Sequence, residues 1–141
     1  EANHPAAEAL RRIKVHTKFV PDLDRLATVD RAYVEQIVDR SLTRLGQERL
    51  DLVQFHWWDY AVPGAVQAAL WLDDLRREGK IEHVGGTNFD TAHLTAIVDA
   101  GVPLRSMQVQ YSLLDRRPEK AMTAAAAARG VSLLCYGTVA G

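Results

Sequence analysis

The sequence predicts an α/β protein built on a parallel sheet, and two observations carry that prediction. Short apolar runs alternate with helix-like segments, and glycines at positions 46, 79, 101 and 130 each close one such segment a few residues before the next run. Glycine just past a helix end accepts the left-handed backbone that other residues resist. Parallel strands cannot be joined by a tight hairpin and need a crossover of about a dozen residues, so strands alternating with helices at this spacing read as right-handed βαβ units.

The elements follow in order. A short helix, "AAEALRR", stands in front, and "IKVHTKF" from Ile13 is the first strand. From Asp30 to Leu45, Val34, Ile37, Val38, Leu42 and Leu45 recur at helical spacing, and Asp30 is placed to cap the first turn. The second strand is "LDLVQFH" from Leu50; Leu52, Gln54 and His56 share one parity, Val53 and Phe55 the other. Ala65 to Glu78 is helical through Val66, Ala69, Leu70, Leu72 and Leu75, and "IEHVGG" from Ile81 is the third strand. A helix from Asp90 to Ala100 starts on a capping aspartate and presents Leu94, Ile97 and Val98. "LRSMQVQY" from Leu104 is the fourth strand, Pro118 suits the first turn of a helix running to Arg129, and "VSLLCY" from Val131 is the fifth strand. The run Ala124 to Ala128 inside that last helix is explained by alanine's helix propensity.

Composition narrows the function classes. With 141 residues, 48% of them hydrophobic and 25% charged, residues 1–141 read as a single globular domain. Seventeen basic and eighteen acidic residues are interspersed, leaving a formal charge of -1 and no basic stripe for nucleic acid or an anionic membrane. Cys135 is the single cysteine, so no internal disulfide forms, and the expected compartment is the cytoplasm. The sequence has no apolar run of the roughly 18 residues a membrane span needs.

In parallel α/β folds, ligands meet the carboxyl ends of the strands. Here those ends offer Lys18, His56, Thr87 with Asn88, Gln108 with Gln110, and Tyr136 followed by Gly137. Each has a structural explanation as well: Lys18 a solvated charge, His56 a satisfied core histidine, Asn88 a turn residue, Gln108 and Gln110 strand polars, Tyr136 a core ring with a tethered hydroxyl. Five consecutive strand ends of this kind nevertheless exceed what independent surface polars would give. Other chemistries fit less well. The five histidines show neither H-x-H nor H-E-x-x-H spacing, and one cysteine cannot build a thiolate zinc cage, so no metal site is expected. "VGGTNF" offers backbone N–H groups to a phosphate but is neither G-x-G-x-x-G nor a Walker loop, and no serine sits in G-x-S-x-G.

Taken together, "DLVQFHW" after "SLTRLG", "EGKIEHVGGTNF", "VQYSLLDRRPE" and "LLCYGTVAG" resemble the aldo-keto reductase superfamily from Val15 to Gly141. The resemblance implies a (β/α)8 TIM barrel, NADPH or NADH as cofactor, and reduction of a small aldehyde or ketone to an alcohol without a metal. It implies roles for Lys18 as the lysine that lowers a catalytic tyrosine's pKa, and for His56 as the histidine that orients the substrate carbonyl. By the same resemblance, Thr87, Asn88 and Gln108 hold the nicotinamide carboxamide, Tyr136 stacks on the nicotinamide, Gly137 and Val139 lie near the pyrophosphate, and Trp57 borders the carbonyl pocket. Leu52, Gln54 and His56 then face the barrel interior, and Val53 and Phe55 the covering helices.

The family's tyrosine acid and its aspartate precede the lysine strand, and none of Tyr33, Tyr60, Tyr111 and Tyr136 occupies that motif. About five βα units are present, matching the third to seventh strands of the barrel, so the expectation is an incomplete barrel. It would be inactive alone and prone to self-association through its open edges. Two rivals stand beside the reductase: a non-catalytic, nucleotide-binding or regulatory member of the same superfamily, and a different barrel enzyme using His56 for hydrolysis.

Overall fold

A computed structural model describes residues 13–139. The "AAEALRR" segment and Gly141 lie outside the described residues. Five strands, β1 (His16–Phe19), β2 (Leu50–Phe55), β3 (Ile81–Thr87), β4 (Leu104–Gln110) and β5 (Ser132–Tyr136), alternate with helices α1 (Arg31–Leu45), α2 (Ala65–Arg77), α3 (Thr91–Asp99) and α4 (Met122–Ala128). The sheet is wholly parallel and its spatial order is the chain order, β1 to β5. That order decides the architecture. Doubly wound sheets reverse direction at a switch point, with helices on both faces, whereas sequential strands joined by crossovers of one hand keep all helices on one face, as in a barrel wall.

The helices form as the sequence dictates. Asp30 Oδ1 accepts from the Tyr33 backbone N–H at 2.8 Å, and Asp90 Oδ1 accepts from that of His93 at 2.8 Å, so α1 and α3 each begin on a side-chain cap. Gly46 ends α1 at φ 61°, the left-handed conformation that carbon-bearing side chains resist. On the helix-covered face Phe19, Val53, Phe55, Val84, Met107 and Val109 pack with Val34, Val38, Leu72, Leu75, Leu94 and Ile97 in one cluster. Fully burying each such side chain stabilises by roughly 1.5–3 kcal/mol. The opposite face carries Leu52, His16, Ser106 and Leu134 around an open hollow of about 270 Å³. Val53 and Phe55 therefore face the helices and Leu52 the interior, as their parity requires.

Three boundaries differ from the expectation. The first strand starts at His16 and not Ile13, because the Val15 N–H donates to the Asp51 carboxylate (2.9 Å). The helix expected from Pro118 to Arg129 divides into a 3-10 turn, Arg117–Glu119, and α4, because Ala121 leaves helical geometry at φ -142°. A further 3-10 helix, Leu23–Thr28, follows β1 without a sequence signal that singled it out.

One irregularity sets the phase of the upper sheet. Val84 pairs with Leu104 but Gly86 with Met107, so β4 holds one extra residue there. Both glycines of "VGGTNF" are needed at this point for clearance. A Cβ on Gly85 would lie 2.7 Å from Ser106 Oγ and 3.1 Å from its carbonyl oxygen, and one on Gly86 would lie 2.4 Å from Met107 Cε. The extra residue in β4 sets Gln108 opposite Thr87.

Candidate active site

The carboxyl ends of the five strands form one rim. Lys18 pairs in register with Gln54, two residues before His56, and the His56 backbone N–H donates to the Phe19 carbonyl at 3.0 Å. Lys18 and His56 thus top neighbouring strands, with Lys18 exposed and His56 half-buried. The His56 ring is fixed by two contacts. Its Nδ1 lies 3.0 Å from the Thr87 carbonyl oxygen, which can only accept, so Nδ1 carries the proton and Nε2 is left for a ligand. Trp58 meets the ring edge-on at 4.8 Å between centroids, its own N–H donating to the Pro21 carbonyl at 2.8 Å.

Next along the rim, Thr87 and Gln108 are paired in register on β3 and β4. Thr87 Oγ1 and Gln108 Oε1 are buried and have no hydrogen-bond partner among the described residues. Asn88 follows with φ 58°, its backbone N–H donating to the Gln108 carbonyl at 2.8 Å and its Oδ1 accepting from the Tyr136 hydroxyl at 2.8 Å. Tyr136 closes the row opposite Gln110, and Gly137 turns the chain away at φ 65°. Val139 is 93% exposed.

The structure thus brings Lys18, His56, Thr87, Asn88, Gln108 and Tyr136 to one rim. Trp57 lies in the core cluster beside this rim. Expected at the pocket border, it is 2% exposed within the helix-covered core, meeting Phe55 edge-on at 6.0 Å and donating its N–H to the Val62 carbonyl at 3.0 Å. Alternation explains this: if His56 faces the interior, its neighbour faces the helices. Trp58, unassigned from sequence, is the indole beside His56, and the same parity would have found it. Tyr60 also went unread, and no spacing rule marks it. Burial pushes its phenol pKa up, while the Asp90 backbone N–H it accepts pulls the other way. Burial pushes the Asp90 carboxyl up, but the His93 backbone N–H and ring outweigh it and hold the carboxyl below its ordinary value.

Comparison with known proteins decides the relationship. The model of the Aldo/keto reductase family matches residues 2–141. The chain belongs to the aldo/keto reductase family. It is 32% identical over 110 residues to "Aldo-keto reductase YhdN" of Bacillus subtilis (strain 168), covering 78% of this chain and 33% of that protein. It is 31% identical over 106 residues to the "NADH-specific methylglyoxal reductase" of Escherichia coli (strain K12), covering 73% of this chain and 32% of that one. Among solved structures, the aldo/keto reductase from Klebsiella pneumoniae in complex with NADP and acetate superposes with a TM-score of 0.75 at 25% identity, over 94% of this chain and 45% of that one. The chain spans about a third of the length of these two curated relatives. Its five-stranded sheet is an incomplete aldo/keto reductase barrel. No described helix is long and apolar enough to cross a membrane.

The polar groups of the rim match in type those that a primary amide, such as a nicotinamide carboxamide, would need. A primary amide presents two N–H donors and a carbonyl acceptor, and the rim holds buried acceptors without partners beside an exposed Asn88 amide.

Proposed function

We propose that these residues form the central part of an NAD(P)H-dependent oxidoreductase that reduces a small aldehyde or ketone to an alcohol. The observation that carries the reading is the pair of buried oxygens, Thr87 Oγ1 and Gln108 Oε1, without partners among the described residues at the carboxyl ends of adjacent strands. Leaving such an acceptor unsatisfied costs about 1–3 kcal/mol; of the buried side-chain atoms without partners among the described residues, these two stand paired in register at strand ends beside Asn88, where a ligand with N–H donors would satisfy them. In this reading Gln108 and Thr87 receive the carboxamide of a nicotinamide, Asn88 supplies its amide to the same group, and Tyr136 offers a ring face. The bound nicotinamide would supply a hydride. NADP in the Klebsiella pneumoniae structure and NADH in the name of the Escherichia coli relative support a nicotinamide cofactor without choosing between the two.

His56 would serve the carbonyl. With Nδ1–H held by the Thr87 carbonyl, Nε2 is the atom that faces substrate: protonated, it donates to the carbonyl oxygen and stabilises the negative charge that develops there; deprotonated, it accepts. Lys18, on the neighbouring strand top, adds a positive charge to the same region.

The test uses the complete reading frame that encodes these residues. Purified protein should oxidise NADPH or NADH only when a small aldehyde or ketone is present, with deuterium passing from the labelled nicotinamide C4 to the alcohol carbon. His56→Ala should lower kcat/KM by roughly 100-fold or more. Cofactor binding without any turnover across an aldehyde and ketone panel would favour a regulatory, non-catalytic member of the family.

A further inference from the structure

We propose that Tyr60 is a positioning residue for cofactor binding, acting through Asn88; the inference rests on the nicotinamide reading above. Asn88 stands at φ 58°, a backbone conformation that side-chain-bearing residues adopt at a cost and that persists only when neighbours hold it. Its backbone N–H is held by the Gln108 carbonyl and its Oδ1 by the Tyr136 hydroxyl. The remaining backbone atom is held by Tyr60, whose hydroxyl donates to the Asn88 carbonyl at 3.2 Å and accepts from the Asp90 N–H at 3.3 Å. One phenol oxygen thus ties the residues on both sides of Phe89 and sets the turn that aims the Asn88 amide. Once these bonds are made, Nδ2 is the polar atom of Asn88 without a partner among the described residues, so the residue would meet a ligand as a donor.

Tyr60 is itself fixed from a different element. Its ring stacks on His93 of α3 at 3.7 Å between centroids and 15° between planes, and His93 Nδ1 lies 2.7 Å from Asp90 Oδ1. Phe89 lies nearly parallel to the same ring at 6.2 Å. The segment after β2, which carries the His56 end of the rim, is thereby coupled to the turn after β3, which carries the amide end. A role in packing alone would need the ring; a role in aiming Asn88 needs the hydroxyl.

Tyr60→Phe separates the two, because it keeps the stack on His93 and removes only the oxygen. In the complete protein, the dissociation constant for NADPH and for NADH should rise about 3- to 10-fold in Tyr60→Phe, which removes both hydrogen bonds of the hydroxyl but keeps the ring stack, with the melting temperature lowered by only a few degrees. Asn88→Gly removes the amide while tolerating the left-handed backbone, and in that background Tyr60→Phe should cause no further loss. A Tyr60→Phe affinity within twofold of wild type, or an equal penalty in the Asn88→Gly background, overturns the inference while leaving the cofactor reading intact if wild type binds and Asn88→Gly weakens binding. Failure of wild type to bind either nucleotide overturns both.

Discussion

The two ends of the sheet are built on opposite terms. At the amino ends Lys14 bridges Asp51 at 2.8 Å and Glu82 at 3.2 Å, Arg49 reaches Glu82 at 3.5 Å, and the Val15 N–H donates to Asp51. At the carboxyl ends, among the described residues, Thr87 and Gln108 keep buried oxygens without partners and His56 Nε2 makes no hydrogen bond, while Asn88 holds a left-handed backbone at φ 58°. The first end pairs its charges with one another, although Gln47 Oε1 and Arg129 Nε in the segments leading into β2 and β5 are buried without partners among the described residues. The second gathers two unpaired oxygens on adjacent strand ends, which costs folding free energy and, on the proposed reading, is offset when a ligand donates to them.

Substitutions should fall on one side of this division or the other. The largest stability effect is expected between the two ends, at Gly85, where an added Cβ meets Ser106 Oγ at 2.7 Å and its backbone oxygen at 3.1 Å. Gly85→Ala should lower stability by about 1–3 kcal/mol, read as an earlier denaturant midpoint, because the side chain can rotate away but the strand cannot. Unchanged stability would mean that the strands separate easily there and that the bulge does not fix the rim.

A smaller effect is expected at the amino ends. Asp51→Asn should lower the melting temperature by no more than about 4 °C at neutral pH, since such pairs sit near the surface. The Lys14 hydrogen bond, then the Val15 N–H, hold the Asp51 carboxyl below its ordinary value. A folded pKa lowered in this way contributes stability above the unfolded pKa of about 4 and loses it as pH falls through the folded pKa. The wild-type advantage over Asp51→Asn should therefore be present at pH 7 and vanish on acidification below that range. An advantage that persisted in acid would place its origin outside the carboxylate, and cofactor affinity should not change in this variant.

What was legible in the sequence follows the same line. The strand–helix alternation, the caps at Asp30 and Asp90 and the turn at Gly46 are local, and each was readable because one residue type satisfies one backbone need. The rim residues could be proposed because strand ends are where chain chemistry collects, and the family resemblance sharpened their roles. The two tryptophans after the histidine look alike in the sequence, and only the fold distinguishes them: Trp57 is buried against Phe55, and Trp58 lies beside His56. Tyr60 was not readable because its value lies in contacts with Asn88, Asp90 and His93, some 30 residues away in sequence and joined only by the fold. The division of the Pro118 to Arg129 helix depends on the backbone at Ala121, in a stretch where alanine propensity alone predicts continuity.

The claim that the unpaired oxygens at the rim constitute a cofactor site is tested most directly by titrating the complete protein and its Gln108→Leu variant with NADPH and NADH, following tryptophan fluorescence. Wild type should bind at least one of the two, and Gln108→Leu should bind it about tenfold more weakly while melting at the same or a higher temperature, because the variant removes a buried acceptor that only a ligand satisfies. Equal affinity in the two proteins, or no binding by wild type, would contradict the account.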